Sequence, residues 1–118
     1  MSTQQVADRF NELAQKGDWH KIQEELFDKN AESIEPPNSP GLSSVKGMDQ
    51  IAKKGKDWEA TIEQVHSGYS NPPQVAGNFF TLTMGMDVTI KGQGRMKMDE
   101  VALYEVKDGK IVKEQFFY

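Results

Sequence analysis

The sequence predicts an α+β fold in which helices cover the concave face of a long, curved antiparallel sheet. The main observation is the segment 74–118, where polar and apolar residues alternate and short loops carry Gly or Asp-Gly, as in an antiparallel meander. Its first run, 74–90, exceeds the usual strand of about five or six residues, which predicts a bent or bulged strand. Three amphipathic helical segments precede the meander, so the helices are expected on one face of the sheet.

Length and composition limit the possible functions. The 118 residues are expected to form one domain, 1–118. A net charge of −4 predicts that neither nucleic acid nor a membrane is a partner. The absence of cysteine excludes disulfides, thiolate nucleophiles and cysteine metal sites. Apolar runs of membrane-spanning length and the features of a signal peptide are absent, so a soluble, cytoplasmic protein is expected.

Two N-terminal helices are predicted from apolar residues at helical spacing. The first runs from Ser2 to Lys16, with Ser2 and Gln5 placed for a capping box and Gly17 suited to the left-handed position after the helix. Asp18 is expected to cap the second helix. The inward residues of the two helices are expected to be Val6, Phe10, Leu13, Ala14, Trp19, Ile22 and Leu26.

A short strand and a long loop follow the second helix. Residues 31–35 have an extended pattern, which Pro36 and Pro37 end. Residues 38–47 are rich in Ser, Pro and Gly and form the one long irregular segment of the prediction. Long loops in compact domains are often functional rims, so this loop is expected beside a site.

A third helix is predicted from Gly47 to about Trp58, with Gly55 weakening its middle. Its lysines at positions 53, 54 and 56 are interpreted as a solvated face, because charge runs on helices usually face water. The pattern then changes to that of a strand over 61–70.

Four segments, spread over nearly the whole chain, matter through their order and spacing. They are Gly17-Asp18-Trp19, residues 31–36 followed by the Pro/Ser/Gly loop, residues 47–51, and residues 106–112 before an aromatic end. Taken together they resemble the nuclear-transport-factor-2-like superfamily, in particular its SnoaL-like and ketosteroid-isomerase-like branch. The resemblance implies a cystatin-like cone of curved sheet wrapped around the N-terminal helices, with an apolar pocket beside the first strand. It also implies a homodimer formed through the outer sheet face. The superfamily includes isomerases, cyclases, dehydratases and binding modules, so fold does not determine function.

Glu35 is the first candidate for a catalytic role. In the isomerase-like relatives a catalytic carboxylate lies at the end of the first strand, just before a proline, and Glu35-Pro36 matches this place. The charged form of a carboxylate is disfavoured at the mouth of an apolar pocket, which suits it to proton abstraction. The alternative is an ordinary glutamate on a solvated rim.

The rest of the ketosteroid isomerase pattern is not met. The position of its oxyanion-binding tyrosine falls at Phe10, and that of its second acid falls near Ala102. Neither side chain can donate a hydrogen bond, and such donors are typically worth a few kcal/mol each. Steroid isomerisation is therefore not expected.

The register of the two long strands decides which residues line the concave face. The methionine-rich faces carry Met84 and Met86 on one strand, and Met96, Met98, Glu100, Ala102 and Tyr104 on the next. A three- or five-residue turn, or a bulge, brings these faces together, whereas two or four residues do not. We favour the first register, in which Glu100 points inward as a second buried carboxylate; in the other register Asp99 takes that role. The methionines are either plain core or an adaptable wall for a flat apolar ligand.

The two histidines have no shared spacing that indicates a metal site, and neither a metal nor a cofactor is predicted. His66 lies within the 61–70 strand and is a candidate acid–base partner of Glu35. A hydrogen-bonded structural histidine is the commoner case.

Three functions fit the sequence. The first is a pocket domain that binds a small apolar or aromatic compound, with or without catalysis. The second is a cofactor-free isomerase, cyclase or dehydratase with Glu35 as general base, assisted by Glu100, Tyr104 or His66. The third is a non-catalytic protein-interaction module.

The ligand-binding residues are expected to be Phe10, Trp19, Met84, Met98 and Ala102. A homodimer is expected because the outer strand face carries Phe79, Thr81, Thr83, Val101 and Leu103.

Overall fold

The computed structural model describes residues 1–39 and 41–118, and it confirms the predicted α+β fold. Residue 40, within the predicted loop, lies outside the described residues. The helices are α1 (Thr3–Gln15), α2 (Trp19–Leu26) and α3 (Met48–Thr61). The strands are β1 (Phe27–Ile34), β2 (Val45–Lys46), β3 (Ile62–Ser70), β4 (Gln74–Ala76), β5 (Phe79–Ile90), β6 (Gly94–Lys107) and β7 (Lys110–Phe117). Among the helices of these residues, none has the length and apolar character needed to cross a bilayer.

The predicted caps of the first two helices are present. The backbone N–H of Gln5 donates to Ser2 Oγ at 3.1 Å, and the backbone N–H of Ser2 donates to Gln5 Oε1 at 2.9 Å, which completes the capping box. Gly17 follows the helix with φ 71°, a conformation that glycine adopts without steric cost. Asp18 then accepts a hydrogen bond from the backbone N–H of Lys21 and caps α2.

One sheet contains every strand, in the order β2-β1-β7-β6-β5-β3, with β4 paired to β5. Its pairs are antiparallel except β1 with β7, which are parallel, so the sheet is mixed and not antiparallel throughout. The helix α3 and the whole meander separate these two strands along the chain, and such a long connection permits parallel pairing. The strand β1 also begins at Phe27, earlier than predicted, because α2 passes directly into extended backbone there.

The run 74–90 is a hairpin, and the prediction of one long bent strand is wrong. The short strand β4 pairs antiparallel with the start of β5, with Ala76 opposite Phe79. Between them Gly77 has φ 59°, which lets the chain reverse in a two-residue turn. The carbonyl of Asn78, the second turn residue, accepts a hydrogen bond from the backbone N–H of Val106 at 2.8 Å.

The favoured register of β5 with β6 is confirmed. Ile90 pairs with Gly94 across a three-residue turn, and Met84 pairs with Glu100 farther along. The methionine-rich faces therefore lie together on the concave side, which we call the inner face, and Glu100 points inward. Asp99 points outward, where the Tyr69 hydroxyl donates to its Oδ1 at 2.7 Å.

The core lies between α1 and the inner face and is dominated by aromatic rings. Phe10, which is 1% exposed, has its ring centroid 4.7 Å from that of Tyr104 and 5.4 Å from that of Phe80. The rings of Phe80 and Tyr104 stack at 4.9 Å across neighbouring strands. Such aromatic pairs add about 0.5–1.5 kcal/mol beyond their buried area, so this contact fixes α1 against the sheet.

Gly85 is a position at which we expect any side chain to be destabilising. A Cβ there would collide with the Met98 carbonyl oxygen and would lie 2.6 Å from Cε1 of Tyr69. We expect Gly85→Ala to lower the free energy of unfolding by about 1–3 kcal/mol in urea titrations followed by circular dichroism. Gly55→Ala in α3 is the control: its Cβ meets no neighbouring atom within 4 Å, and it should raise stability by roughly 0.5–1 kcal/mol. Equal stability of Gly85→Ala and the unmodified protein would contradict the close approach.

Candidate functional site

Polar side chains are buried on the inner face where β1 lies beside β7. Ser33 of β1 pairs with Glu114 of β7, and the two side chains are 0% and 6% exposed. The Ser33 hydroxyl donates to Glu114 Oε2 at 2.7 Å. Glu35, two residues after Ser33, is 7% exposed and comes directly after β1. Buried carboxyl groups need partners, so these two carboxylates require a compensating network.

Lys54 of α3 supplies the positive charge of this network. Its Nζ donates to Glu35 Oε2 at 2.7 Å and to Ser33 Oγ at 2.6 Å, and it lies 5.8 Å from the ring centroid of Phe116. The interpretation of the α3 lysines as a solvated face is therefore wrong for Lys54, whose side chain is 13% exposed. It follows the fully buried Ile51 by three residues, a spacing that places both side chains on one face of the helix.

Tyr118 binds the second oxygen of Glu35. Its hydroxyl donates to Glu35 Oε1 at 2.7 Å and also contacts the hydroxyl of Ser39. Burial, together with the hydrogen bond to Glu35, raises the pKa of Tyr118 to about 12, although the Ser39 contact lowers it. The backbone N–H of Glu35 donates to Ser44 Oγ at 3.0 Å. These contacts hold the loop beside the buried carboxylates, where a long loop of a compact domain is expected.

The direction of each hydrogen bond in the network can be assigned. Lysine can only donate, so Lys54 gives protons to both Glu35 and Ser33. The single hydroxyl proton of Ser33 is then donated to Glu114. We call the five connected residues the buried ionic cluster: Ser33, Glu35, Lys54, Glu114 and Tyr118.

Glu100 and Tyr104, both predicted site residues, lie on the inner face of β6 beside this cluster. Neither side chain forms a hydrogen bond with any other residue that the structure describes. Tyr104 is only 2% exposed, and Glu100 is partly buried. Ala102 lies between them on the same face and contributes only a methyl group. Buried polar groups normally have partners, so these two, which we call the open pair, are the most available to a ligand.

The carboxyl groups affect one another's protonation. Burial, with the negative charges of Glu35 and Glu114, raises the pKa of Glu100 to about 7, and Lys54 opposes that rise. Burial also raises the pKa of Glu114 to about 7, against the effects of Ser33 and Lys54. The pKa of Tyr104 is raised well above its ordinary value by burial and by all three carboxylates, so its hydroxyl keeps its proton at neutral pH.

His66, proposed as a partner of Glu35, is directed elsewhere. Its Nε2 is 2.7 Å from Thr89 Oγ1 on the neighbouring strand, while Glu35 is bound by Lys54 and Tyr118. The structure therefore does not bring His66 into the buried ionic cluster. Within residues 1–39 and 41–118, no group of three or more His, Asp or Glu side chains is arranged to hold a metal ion.

The predicted ligand-binding residues divide by exposure. Phe10, Met84 and Ala102 are buried in the core, Trp19 is 38% exposed and Met98 is partly exposed. On the inner face, exposure rises from the buried rings of Phe10 and Tyr104 through the partly exposed Glu100 and Met98 to Met96. Two surface depressions lie away from it: one of about 540 Å³ lies beside the N-terminus, and one of about 40 Å³ lies on the outer face. Ligand contact at the five predicted residues stays a prediction.

Sequence analysis did not single out four members of the buried ionic cluster. Ser33 could have been found, because strand alternation places it on the same face as Glu35. Lys54 could have been found from its spacing to Ile51. Glu114 could not, since a bulge in the β6–β7 pairing changes the alternation between Ile111 and the end of β7. The contact of Tyr118 with Glu35 joins residues 83 positions apart, for which the sequence carries no local signal.

Comparison with known proteins decides the family. The model of the SnoaL-like domain matches residues 1–118, which is the whole chain. The chain belongs to the SnoaL-like domain family. A search of curated proteins gives no match.

Solved structures agree with this assignment. The SnoaL-like domain is 35% identical to a Mesorhizobium loti protein provisionally named a SnoaL-like polyketide cyclase, with 100% of both chains covered and a TM-score of 0.93. It shares its fold with a Xanthomonas campestris protein of unknown function and cystatin-like fold, at 22% identity, 99% and 90% coverage of the two chains and a TM-score of 0.78. A nuclear-transport-factor-2-like protein of Burkholderia pseudomallei is 16% identical, with 100% and 92% coverage and a TM-score of 0.78.

The two raised carboxyl pKa values predict how the stability of this SnoaL-like domain changes with pH. Glu100 and Glu114 bind protons more tightly in the folded state than at their ordinary pKa of 4.5. This tighter proton binding stabilises the folded state. The stabilisation is fully present below pH 4.5 and is lost as the pH rises through about 7. We expect Glu114→Gln to flatten this decline and to be more stable than the unmodified domain above that pH, by about 1–3 kcal/mol.

Chemical unfolding at a series of pH values measures this effect. Glu63→Gln, an exposed change on β3, is the control and should keep the pH dependence of the unmodified domain. If Glu114→Gln and the unmodified domain lose stability in parallel over this range, burial of the Glu114 carboxyl does not govern the pH dependence.

Proposed function

We propose that this domain binds a small apolar or aromatic compound at the open end of the inner face, next to Glu100 and Tyr104. The observation that carries the proposal is the open pair: a carboxyl and a hydroxyl without partners in the described structure, on a face otherwise built of methionine and aromatic side chains. Ligand sites typically combine an apolar wall with a few converging polar groups. Met98 and the partly exposed Met86 form an adaptable part of that wall.

The second candidate is a cofactor-free isomerase, cyclase or dehydratase, and the geometry favours Glu100 over Glu35 as its base. Both oxygens of Glu35 are engaged, one by Lys54 and the other by Tyr118. The carboxyl of Glu100 is unengaged, and burial with neighbouring negative charge raises its pKa to about 7, where a group can both take and return a proton. Tyr104 would donate a hydrogen bond to a substrate carbonyl. The provisional naming of the Mesorhizobium loti relative as a cyclase supports this candidate.

Deuterium exchange into a small aromatic ketone tests both candidates at once. We propose 1-tetralone as the probe, with its α-hydrogens and the amide signals of the protein followed by NMR in buffered D₂O. Catalysis predicts exchange above the buffer rate, reduced by roughly a hundredfold or more in Glu100→Gln. Shifted protein signals without faster exchange would support binding alone.

The matched control is Asp99→Asn, which removes a carboxylate from the next residue of the same strand but on the outer face. It should leave both exchange and binding unchanged. Signals of the inner face that do not move on adding 1-tetralone, or an equal loss in both variants, would count against a site at the open pair.

We propose that the outer face of the sheet joins two copies of the domain. Phe79, Val101 and Phe117 are 44%, 41% and 48% exposed, and Val101 pairs directly with Phe117. Leu103, partly exposed on the same face, lines the shallow depression beside Phe79. Contiguous apolar surface of this kind is unusual on a monomer. The same face could alternatively bind a different protein, as an interaction module would require.

Val101→Lys tests this interface. Burial of a valine contributes about 1.5–3 kcal/mol, and a two-fold interface contains it twice, so the charged side chain should dissociate the dimer. Light scattering at micromolar concentration measures the mass. Val65→Lys is the control, because Val65 is 56% exposed on β3 and pairs with the inward-facing Val88, which places it off the outer face. A monomeric mass for the unmodified domain would refute the proposal.

A further inference from the structure

The charges on the inner face do not balance. Three carboxyl groups, those of Glu35, Glu100 and Glu114, share this face with one cation of the described residues, Lys54. Lys54 is committed, because its Nζ donates to Glu35 and to Ser33. In the described structure no cationic side chain pairs with Glu100 or Glu114. Buried charges are stable only when paired, so above about pH 7, where Glu100 and Glu114 are ionised, this face carries negative charge without a matching cation.

We propose that the ligand of this site is a protonated amine attached to a small apolar or aromatic body, an inference that rests on the ligand-binding function proposed above. The ammonium group would lie at the open pair, donating to the Glu100 carboxylate and to the hydroxyl oxygen of Tyr104. Its apolar body would lie over Met98 and Met86, where the inner face opens. A cation there supplies the missing charge without displacing Lys54.

Tyr104 is an observation independent of the charge count. It is only 2% exposed, and its hydroxyl, which retains some contact with the surface, has no hydrogen-bond partner in residues 1–39 and 41–118. A hydroxyl carries two acceptor lone pairs, so the Tyr104 oxygen can receive an N–H from an ammonium group. An anionic ligand would instead meet the field of three carboxylates. A neutral ligand would leave Glu100 to be neutralised by a proton.

Proton release is a consequence of this ligand chemistry. Without ligand, the pKa of Glu100 is about 7, since burial and the charges of Glu35 and Glu114 outweigh Lys54. Tyr118 and Tyr104, whose pKa values Glu100 also raises, are two further titratable groups near it. An ammonium group beside Glu100 stabilises its ionised form, so binding expels the carboxyl proton. Affinity for the amine should therefore rise with pH through about 7.

Three compounds with the same ring test the inference: benzylammonium, benzyl alcohol and benzoate, titrated into the unmodified domain above pH 7. We expect benzylammonium to bind at least about tenfold more tightly than benzyl alcohol, which corresponds to about 1.4 kcal/mol. Benzoate should bind most weakly. Calorimetry in two buffers of different ionisation enthalpy should show proton release with benzylammonium near pH 7 and none with benzyl alcohol.

Glu100→Gln should remove the preference for benzylammonium over benzyl alcohol. Asp99→Asn, which loses an equal charge from the outer face, should retain the preference. Equal or tighter binding of benzyl alcohol or benzoate would overturn the amine inference while supporting a ligand site. Failure of all three compounds to bind would overturn the inference and the proposed ligand site together. If Glu100→Gln fails to fold, the relative affinities and the proton release measured on the unmodified domain still test the amine inference.

Discussion

The pairing of β5 with β6 determines the chemical character of the interior. The three-residue turn after Ile90 sets this register, and a shift of one residue would exchange the two faces of β6. Glu100 and Tyr104 would then face outward, and Asp99 and Leu103 would face inward. The close approach at Gly85 reinforces this register, because a side chain there would collide with the Met98 carbonyl oxygen. The register that buries the methionine and aromatic side chains therefore also places the Glu100 carboxylate in the interior.

Lys54 is the second constraint, and it links the helix layer to the sheet. Its ammonium group donates to Ser33 of β1 and to Glu35, which directly follows that strand, and Ser33 in turn donates to Glu114 of β7. Because α3 and the two parallel strands come from distant parts of the chain, this contact closes the fold at the edge where pairing is irregular. Loss of one member of a buried ion pair typically costs about 3–5 kcal/mol, since it leaves the other charge uncompensated.

The sequence predicted most of the fold, because its signals are local. Caps at Ser2 and Asp18 and the alternation of β5 and β6 depend on neighbouring residues, and the structure confirms them. The errors lie where tertiary pairing overrides local pattern: the turn at Gly77 divides a continuous strand pattern, and β1 is recruited beside β7 from Phe27 onward. The site was predicted in part. Glu100 follows from strand alternation and Glu35 from its place before Pro36 in the family resemblance, whereas the contact of Lys54 with Glu35 depends on how α3 lies across the sheet.

The distribution of hydrogen bonds separates two roles among the carboxyl groups. Glu35 has both oxygens bound and a cation at 2.7 Å, which suits it to holding Lys54, Tyr118 and the neighbouring loop in place. Glu100 has no such support, although burial and like charges disfavour its ionised form. Natural proteins tolerate an unfavourable group of this kind mainly where function requires it, because replacement by an apolar residue would stabilise the fold. The chemistry of this domain is therefore expected at Glu100, with Glu35 organising its surroundings.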